Sequence, residues 1–236
     1  MSATAPILEF REATLVSARL HQAEMHAVNF ALAAGEVLLV RVEEGHESLP
    51  LGDAACGLLA PTAGEVRFEG RPWIDRGPWD QARARGRIRR VFDHAGWVSN
   101  LEVKENVVLA ELHHTRRHRA AIDAEAGRLA VRFGLPGLPD ARPSNLRPGV
   151  LRRCEWVRAF LGHPALILLE RPEWGVAPGE AACLWPAVEA AAGDGAAIVW
   201  LTGQPRVWEH RPKVALRHAA MHASRLATIE EDASPS

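Results

Sequence analysis

Residues 36 to 60 have the layout in which the phosphate-binding motif GxxxxGK[ST] is found: an apolar strand, a short polar loop and a second apolar segment. When the loop is placed on the motif, only Gly45, a middle position, agrees with it. Glu47, Ser48 and Leu49 stand where the second Gly, the Lys and the Ser or Thr belong. The frame of a phosphate site is therefore present without the residues that bind phosphate.

The charge of this loop is also wrong for a phosphate site. Such a loop gathers backbone N–H groups and a Lys around phosphate oxygens, and a hydroxyl holds the magnesium ion. Glu43, Glu44 and Glu47 would instead repel a polyphosphate by several kcal/mol at intermediate dielectric. Pro50 removes one backbone donor. We predict a site closed to nucleotide, in which the glutamates take the place of an anion at the start of the following helix.

The composition is that of an ordinary cytosolic globular chain, with 236 residues, 47% hydrophobic residues, 24% charged residues and a formal net charge of -1. This length predicts one domain. No run of about 18 apolar residues could span a bilayer, and the first residues lack the pattern of a signal peptide. The near-neutral charge carries no signature of nucleic-acid binding. We expect no transmembrane segment in this chain and no nucleic-acid partner.

Cysteines and histidines give weak signals of chemistry. Three cysteines lie far apart, at Cys56, Cys154 and Cys183, and we expect reduced, buried thiols. Residues 113 to 119 are basic, and His114 and His118 stand four apart, as metal ligands on a helix can. Because no acidic or Cys ligand is near, the pattern favours a solvated basic helix face over an anionic-partner patch or a metal site.

The rest of the chain alternates between apolar strands and helical stretches. Strands are predicted at 7–10, 28–32, 37–40, within 61–73, at 87–92, 166–169 and 196–202, and helices near 120–134, after the Pro-rich break at 136–148, and at 179–192, before a C-terminal meander. This alternation favours an α/β fold with a mostly parallel, buried sheet.

In order and spacing these segments resemble the nucleotide-binding subunit of ATP-binding cassette (ABC) transporters over nearly the whole chain. The resemblance rests on AAGEVLLVR, CGLLAPTAGEVRFEG, VSNLEVKENV, PSNLRPGVLRR, RAFLGHPALILLE and WLTGQPRVWE. The stretch VFDHAGWVSNLEVKENVVLAELHHT is also similar to ATPase subunits of MCE-associated, Mla-type lipid-transport systems. The implied fold is a P-loop NTPase-like ABC ATPase with an antiparallel N-terminal β subdomain, a mostly parallel core sheet and a helical subdomain. It implies one domain over residues 1–230, with the helical subdomain at about 94–160 and a disordered tail at 231–236.

The resemblance assigns chemical roles to positions that carry unsuitable residues here. Asp93 stands for the Gln that senses magnesium and γ-phosphate, and Glu170 stands for the Asp that orients magnesium. Arg171 replaces the catalytic Glu, and a permanent cation cannot act as a general base. Gly203 replaces the switch His. Glu170 could contact a metal, but the sequence favours pairing with a neighbouring Arg.

The signature motif and the adenine site are altered as well. The family's LSGGQ reads Leu146-Arg147-Pro148-Gly149-Val150, in which only Leu146 and Gly149 agree and Pro148 has no N–H to donate. The D-loop reads Gly175-Val176-Ala177, and the adenine-stacking aromatic is replaced by residues 17 to 19, Ser-Ala-Arg. Loss of the phosphate cradle, base and sensor together predicts that hydrolysis is lost.

We therefore interpret the chain as a catalytically degenerate ABC ATP-binding subunit with a structural or regulatory role. The resemblance implies two partners, an ABC permease and a second ABC ATPase subunit in a homodimer or heterodimer, at the cytoplasmic face of a membrane. It places the permease contact at Trp97, Val98, Leu101 and Val103. We expect no cofactor and no metal, with ATP and Mg²⁺ bound only if the degenerate site still accepts them. Two alternatives are a weakly active ABC ATPase that energises transport, for example of lipids, and a soluble interaction protein that reuses the scaffold.

Overall fold

The computed structural model describes residues 5–17, 23–42, 48–94 and 96–229. In chain order the elements are β1 (Leu8–Leu15), β2 (Met25–Leu32), β3 (Glu36–Arg41), α1 (Leu51–Ala55), β4 (Ala63–Phe68), β5 (Arg71–Pro72), α2 (Pro78–Arg85), β6 (Ile88–Val91), α3 (Val103–His114), α4 (Arg119–Arg132), α5 (Pro148–Phe160), β7 (Leu166–Glu170), α6 (Pro178–Ala181), α7 (Leu184–Gly193), β8 (Ala197–Thr202), α8 (Pro205–Glu209), β9 (Ala215–His222) and β10 (Arg225–Ile229).

Two sheets organise the chain. The larger sheet has the strand order β10-β9-β3-β8-β7-β6, and every pairing in it is parallel except that of β9 with β10. Its central strands β7 and β8 are buried along their whole length, as parallel strands covered on both faces must be. The smaller sheet is antiparallel, in the order β2-β1-β4-β5. The predicted α/β fold, with a mostly parallel core sheet and an antiparallel N-terminal β subdomain, is confirmed.

The core is divided between the two faces of the larger sheet, because side chains alternate along each strand. Leu38 and Val40 of β3 point into a cluster shared with the smaller sheet and α1. Val37 and Leu39 point to the opposite side, where they join a cluster formed with α3, α4, α5 and α7. Among the described residues, no helix is long and apolar enough to cross a lipid bilayer.

Helices α3, α4 and α5 pack on one another within the predicted helical subdomain. A capping box opens α3: the Glu102 side chain accepts from the backbone of Glu105, and the Glu105 carboxylate accepts the N–H of Glu102 at 2.8 Å. The buried Asn106 side chain accepts the Val98 N–H at 2.8 Å and donates to the Val98 carbonyl at 3.1 Å. The segment before α3 is thus fixed to the helix that follows it.

Three sequence predictions need correction. The single helix predicted at 179–192 is two helices, α6 and α7. Pro186 has no N–H to donate to the Ala182 carbonyl, a hydrogen bond that a continuous helix would need.

His114 ends α3, whereas His118 precedes α4, so the two imidazoles do not share a helix face. The basic segment is a connection between helices. Cys56 and Cys154 are buried as predicted, but Cys183 is only partly buried. The predicted tail at 231–236 lies outside the described residues.

Candidate functional site

The site predicted from the sequence lies at the carboxyl ends of three neighbouring strands, β3, β8 and β7. Val42 follows β3, Gly203 follows β8, and Arg171 follows Glu170, the last residue of β7. The N–H of Val42 donates to the Thr202 carbonyl at 3.2 Å, and the N–H of Arg171 donates to the Leu201 carbonyl at 2.9 Å. Backbone bonds therefore hold these strand ends side by side.

Only part of the loop after β3 can be placed. Gly45 and Glu47 lie outside the described residues, as do Glu43 and Glu44, so their predicted arrangement is not tested. Ser48 is tied to the N-terminal β subdomain, because its carbonyl accepts the N–H of Ala23 at 3.2 Å. Leu49 and Pro50 are both buried.

The helix after this loop is short. Pro50 precedes α1, and α1 spans only five residues and has no side-chain cap. Leu49 belongs to the core cluster under α1. The described end of the loop thus supplies apolar packing through Leu49. The Lys position of the motif holds Ser48, which is not a cation, and the Ser or Thr position holds Leu49, which has no hydroxyl.

Arg90 bridges two buried carboxylates at the centre of the site. Its guanidinium donates to Asp53 of α1 at 2.6 Å and to Glu170 of β7 at 2.7 Å. All three side chains are 9% exposed. Gly52 makes room for the bridge, because a Cβ there would lie 2.0 Å from Glu170 Oε1 and 2.8 Å from an Arg90 nitrogen. The two carboxylates therefore share a single internal cation.

Arg171 forms the second ion pair of the site. Its Nε donates to Asp93 Oδ1 at 2.6 Å, and one terminal nitrogen contacts the same oxygen. Arg171 has a φ of +44°, in the left-handed region that non-glycine residues rarely occupy. The N–H of Asp93 donates to Glu170 Oε2 at 3.1 Å, which links the two ion pairs. The residues predicted at the magnesium, base and γ-phosphate positions are therefore joined to one another.

Burial governs the titration of Glu170. Burial raises its pKa, while the charge and hydrogen bond of Arg90 and the N–H of Asp93 oppose that rise.

Arg152 fixes the backbone at Asp93. Its guanidinium donates to the carbonyl of Phe92 at 2.7 Å and to the carbonyl of Asp93 at 3.3 Å. A magnesium ion would have to displace guanidinium groups to reach either carboxylate.

A further buried carboxylate, Glu173, lies just beyond this network. Glu173 accepts a hydrogen bond from the Thr202 hydroxyl and another from the Trp200 indole at 3.3 Å. Burial raises the pKa of Glu173, and these hydrogen bonds oppose the rise. Glu173 is thus bound to two side chains of β8, one of them on the last residue of that strand.

Gly203 leaves no space for the side chain that the switch position would need. A Cβ at this residue would lie 2.8 Å from the carbonyl oxygen of Val42, which is backbone and cannot rotate away. The next residue, Gln204, donates its N–H to the Thr202 hydroxyl at 3.0 Å. A histidine at position 203 would require the strand ends to move apart.

The predicted signature segment forms the start of α5. Arg147 is the residue before the helix, and Pro148 is its first residue. The N–H of Val150 donates to the Arg147 carbonyl at 3.0 Å, so it is used within the first turn. Leu146 and Val150 pack against the helical core cluster, and Gly149 approaches Gly175 so closely that a Cβ would lie 3.0 Å from its carbonyl. The two positions that agree with the family's signature, Leu146 and Gly149, therefore contribute to packing in this chain.

The predicted permease contact is only partly at the surface. Val98 is 43% exposed, and Trp97 and Leu101 are half-buried. Val103, by contrast, is fully buried in the helical core cluster, so it offers no surface to a partner and that part of the prediction is wrong. Beside Val98 lies a cavity of about 540 Å³ whose wall includes Leu109.

This arrangement of sheets and helices defines an ATP-binding cassette fold. A dimeric bacterial ABC transporter cassette matches it with a TM-score of 0.81 over 93% of this chain and 96% of that chain, at 18% identity. A dimeric, post-hydrolysis cassette bound to ADP and Pi matches with a TM-score of 0.80 over the same shares, at 19% identity. The ABC transporter family profile matches residues 25–173, which is more than half of the sequence. The chain belongs to the ABC transporter family.

The curated relatives are ATP-binding proteins of several transport systems. The lipoprotein-releasing ATP-binding protein LolD 1 of Rhodospirillum rubrum is 31% identical over 75% of this chain and 74% of its own length. The octopine permease ATP-binding protein P of Rhizobium meliloti is 29% identical over 65% of this chain. A ribose/galactose/methyl galactoside import protein of Ralstonia nicotianae is 28% identical over 81% of this chain. The matched segments cover 63% and 38% of the last two proteins, so the chain spans less than two thirds of either. The lipoprotein-releasing relative fits the weaker likeness to lipid-transport ATPases.

The sequence interpretation missed the residue at the centre of the site. Arg90 was not predicted as a site residue, nor were its partner Asp53 and the clamp Arg152. A signal for Arg90 exists, because Arg89 and Arg90 lie side by side within the otherwise apolar strand β6. Neighbouring residues of a strand point to opposite faces, so two buried cations there require an acidic partner on each side of the sheet.

Proposed function

We propose that this chain is a catalytically degenerate ATP-binding subunit of an ABC transporter. It acts as a structural or regulatory partner of an active ABC ATPase, a permease or both, at the cytoplasmic face of a membrane. The observation that carries the proposal is the pair of ion pairs at the strand ends, Arg90 with Glu170 and Arg171 with Asp93.

These contacts supply no hydrolytic mechanism. Phosphoryl transfer depends on positioning groups and on charges that stabilise the phosphate oxygens. Here the carboxylate after β6 is bound to Arg171, and the carboxylate that ends β7 is bound to Arg90. The position of the base carries a guanidinium, which has no proton-accepting form at physiological pH. Hydrolysis on this chain's own loop is therefore not supported.

The proposal leaves a role for a partner's nucleotide site. The family resemblance implies composite sites in a dimer, each built from the loop of one subunit and the signature segment of the other. With this chain as one subunit, each composite site contains one altered half, and the site on an active partner's loop keeps that partner's own phosphate-binding residues. Such a subunit sets the geometry of the pair without turning over nucleotide itself.

Titration of the purified chain with Mg-ATP tests the empty site. Calorimetry should give no heat of binding at micromolar ATP, tryptophan fluorescence should not change, and phosphate release should equal that of a buffer blank. A competent ABC ATPase carried through the same assays provides the positive control. Micromolar binding with slow turnover would contradict the proposal and favour the weakly active ATPase.

Co-purification from membranes tests the partner half of the proposal. The chain should elute with a membrane complex, and Val98→Glu should lower that recovery by about tenfold, the effect of losing a contact at the centre of an interface. Val131→Glu is the matched control, because Val131 is exposed on α4, away from the cavity beside Val98. Elution of the unaltered chain alone would contradict the subunit role and favour a soluble interaction protein.

A further inference from the structure

A cleft lies between α2 and α3, on the side of β6 that faces away from Asp53. We call it the α2–α3 cleft, and its wall includes Trp79, Arg83, Arg87, His114, Arg117 and His163. Its volume is about 570 Å³, which is within the usual range for sites that bind small molecules. Gly86 allows the two helices to approach, because a Cβ there would lie 2.7 Å from the His114 ring.

Arginines and histidines make up most of the ionisable side chains in the wall of this cleft. Four arginines and three histidines line it, with a single carboxylate, Glu111. Glu111 is 3% exposed and is already paired with Arg89 and with Arg117, the latter at 3.0 Å. Arg117 also pairs with Glu125, and Arg87 pairs with Glu69, so three of the four arginines already have carboxylate partners. The positive charge that remains for a ligand is chiefly that of Arg83.

Arg83 is the cation most available to a ligand. It is exposed, and within the described parts of the chain its side chain has no hydrogen bond or ion pair. Arg87 pairs with Glu69 at 2.5 Å, but its side chain remains 55% exposed. His113 and His114 contact each other edge to face, with 4.7 Å between ring centres, and bring two more ring edges to the wall.

An aromatic ring completes the rim of the cleft. The Trp79 side chain is 89% exposed, although an indole normally packs when a surface is available. An exposed ring beside several guanidinium groups suits a ligand with an anionic head and an apolar body. Guanidinium forks match the geometry of phosphate oxygens, and the several oxygens of one phosphate group can accept from Arg83 and Arg87 together.

We propose that the α2–α3 cleft binds a phosphoester group, held by Arg83 and Arg87 with Trp79 against the ester substituent. This site is on the opposite face of β6 from the bridge that Arg90 makes, so the inference does not depend on the proposed function. The phosphoester could belong to a small soluble molecule or to the head group of an anionic lipid, and the same residues would hold either.

Calorimetry with inorganic phosphate and with phenyl phosphate tests for a small soluble ligand. Flotation with vesicles of phosphatidic acid or phosphatidylcholine tests for a lipid head group.

Arg83→Gln should weaken binding by about tenfold, the effect of losing a charged hydrogen-bonding partner. Arg128→Gln is the matched control: it removes the same charge from an exposed site on α4 and should change binding by less than about twofold, because salt screens distant charges. Trp79→Ala should reduce phenyl phosphate affinity to that of inorganic phosphate, whereas Trp174→Ala, which alters an exposed indole elsewhere, should not.

Each result bears on the proposal. Binding of the soluble phosphates that Arg83→Gln alone weakens supports a small-molecule ligand. Binding only to phosphatidic acid vesicles, with the same dependence on Arg83, supports a lipid head group. Equal weakening by Arg83→Gln and Arg128→Gln would mean general attraction to a basic surface and would overturn the site, as would failure of all four probes to bind.

Discussion

Arg171 donates a hydrogen bond to Asp93 at 2.6 Å, and so joins the residue after β7 to a residue two positions after β6. By the family resemblance, Asp93 stands where a Gln senses magnesium and γ-phosphate, and Arg171 stands where the catalytic Glu polarises the attacking water. In this chain the two side chains form an ion pair with each other. Restoring the Lys of the phosphate-binding loop alone therefore leaves both ion pairs of the site in place.

Ser48→Lys should not restore hydrolysis. The substitution returns the phosphate-binding cation, but Arg171 still occupies the base position and Arg90 still holds Glu170. Phosphate release from Mg-ATP should stay at the level of the unaltered chain, with Ser48→Ala as the control. Turnover above that level in Ser48→Lys would contradict the view that the ion pairs close the site.

Arg90→Leu should strongly destabilise the fold. Removing the guanidinium leaves two buried carboxylates, Asp53 and Glu170, without their shared cation, which typically costs about 3–5 kcal/mol. Urea unfolding measures this loss in the free energy of unfolding. Arg128→Leu, at an exposed position, should stay within about 0.5 kcal/mol.

A triple substitution separates this electrostatic cost from lost packing. Arg90→Leu combined with Asp53→Leu and Glu170→Leu removes all three charges, and should recover a large part of the loss. If the triple variant were as unstable as Arg90→Leu alone, packing and not uncompensated charge would be the cause.

Glu173→Gln should change how stability depends on pH. Burial raises the pKa of Glu173 above its ordinary value of 4.5, so the folded state favours the neutral carboxyl. The stability that this preference contributes is complete below the ordinary pKa and is lost as the pH rises through the raised pKa. Glutamine mimics the neutral form at every pH, so the variant should gain stability relative to the unaltered chain as the pH rises through that window.

Urea unfolding at several pH values measures the Glu173 effect as a difference between two curves. The exposed Glu209 provides the control through Glu209→Gln, whose curve should run parallel to that of the unaltered chain. Parallel curves for Glu173→Gln would show that burial does not control this carboxyl.

Two glycine-to-alanine substitutions should have opposite signs. Gly203→Ala brings a Cβ to 2.8 Å from the Val42 carbonyl and should lower the free energy of unfolding by about 1–3 kcal/mol. Gly127→Ala meets nothing within 4 Å in the interior of α4 and should raise it by about 0.5–1 kcal/mol. Thermal or urea unfolding of both variants gives the comparison, and a stable Gly203→Ala protein would show that position 203 has room for a side chain.

The sheets could be predicted from the sequence because their signal is local. Strands β7 and β8 are continuous apolar runs, and the alternation of strands with helices fixes a parallel arrangement. The break between α6 and α7 was missed because the apolar pattern continues through it, and only the missing N–H of Pro186 interrupts the helix. Local patterns therefore predict the helices and strands but not all of the residues at which they begin and end.

The contacts of the site could be predicted only in part. The sequence shows that Glu170 and Arg171 are unsuitable for hydrolysis, and it favours an arginine as the partner of Glu170, which the structure confirms, but it does not identify that arginine as Arg90. Arg90 lies 37 residues from Asp53 and 80 from Glu170, so the pairing depends on how α1, β6 and β7 meet. The α2–α3 cleft could not be predicted for the same reason, because Trp79 and Arg83 come from α2, whereas His113 and His114 come from α3 and His163 follows α5.

The bridge through Arg90 has a consequence for the motions of α1. A helix of five residues would fray readily by itself, since a helix this short is marginal in water. Asp53 connects it through Arg90 to β6, the edge strand of the larger sheet, and to β7 beside it. We expect its amide protons to exchange with solvent only when this connection opens, and therefore more slowly than those of an isolated helix of the same length.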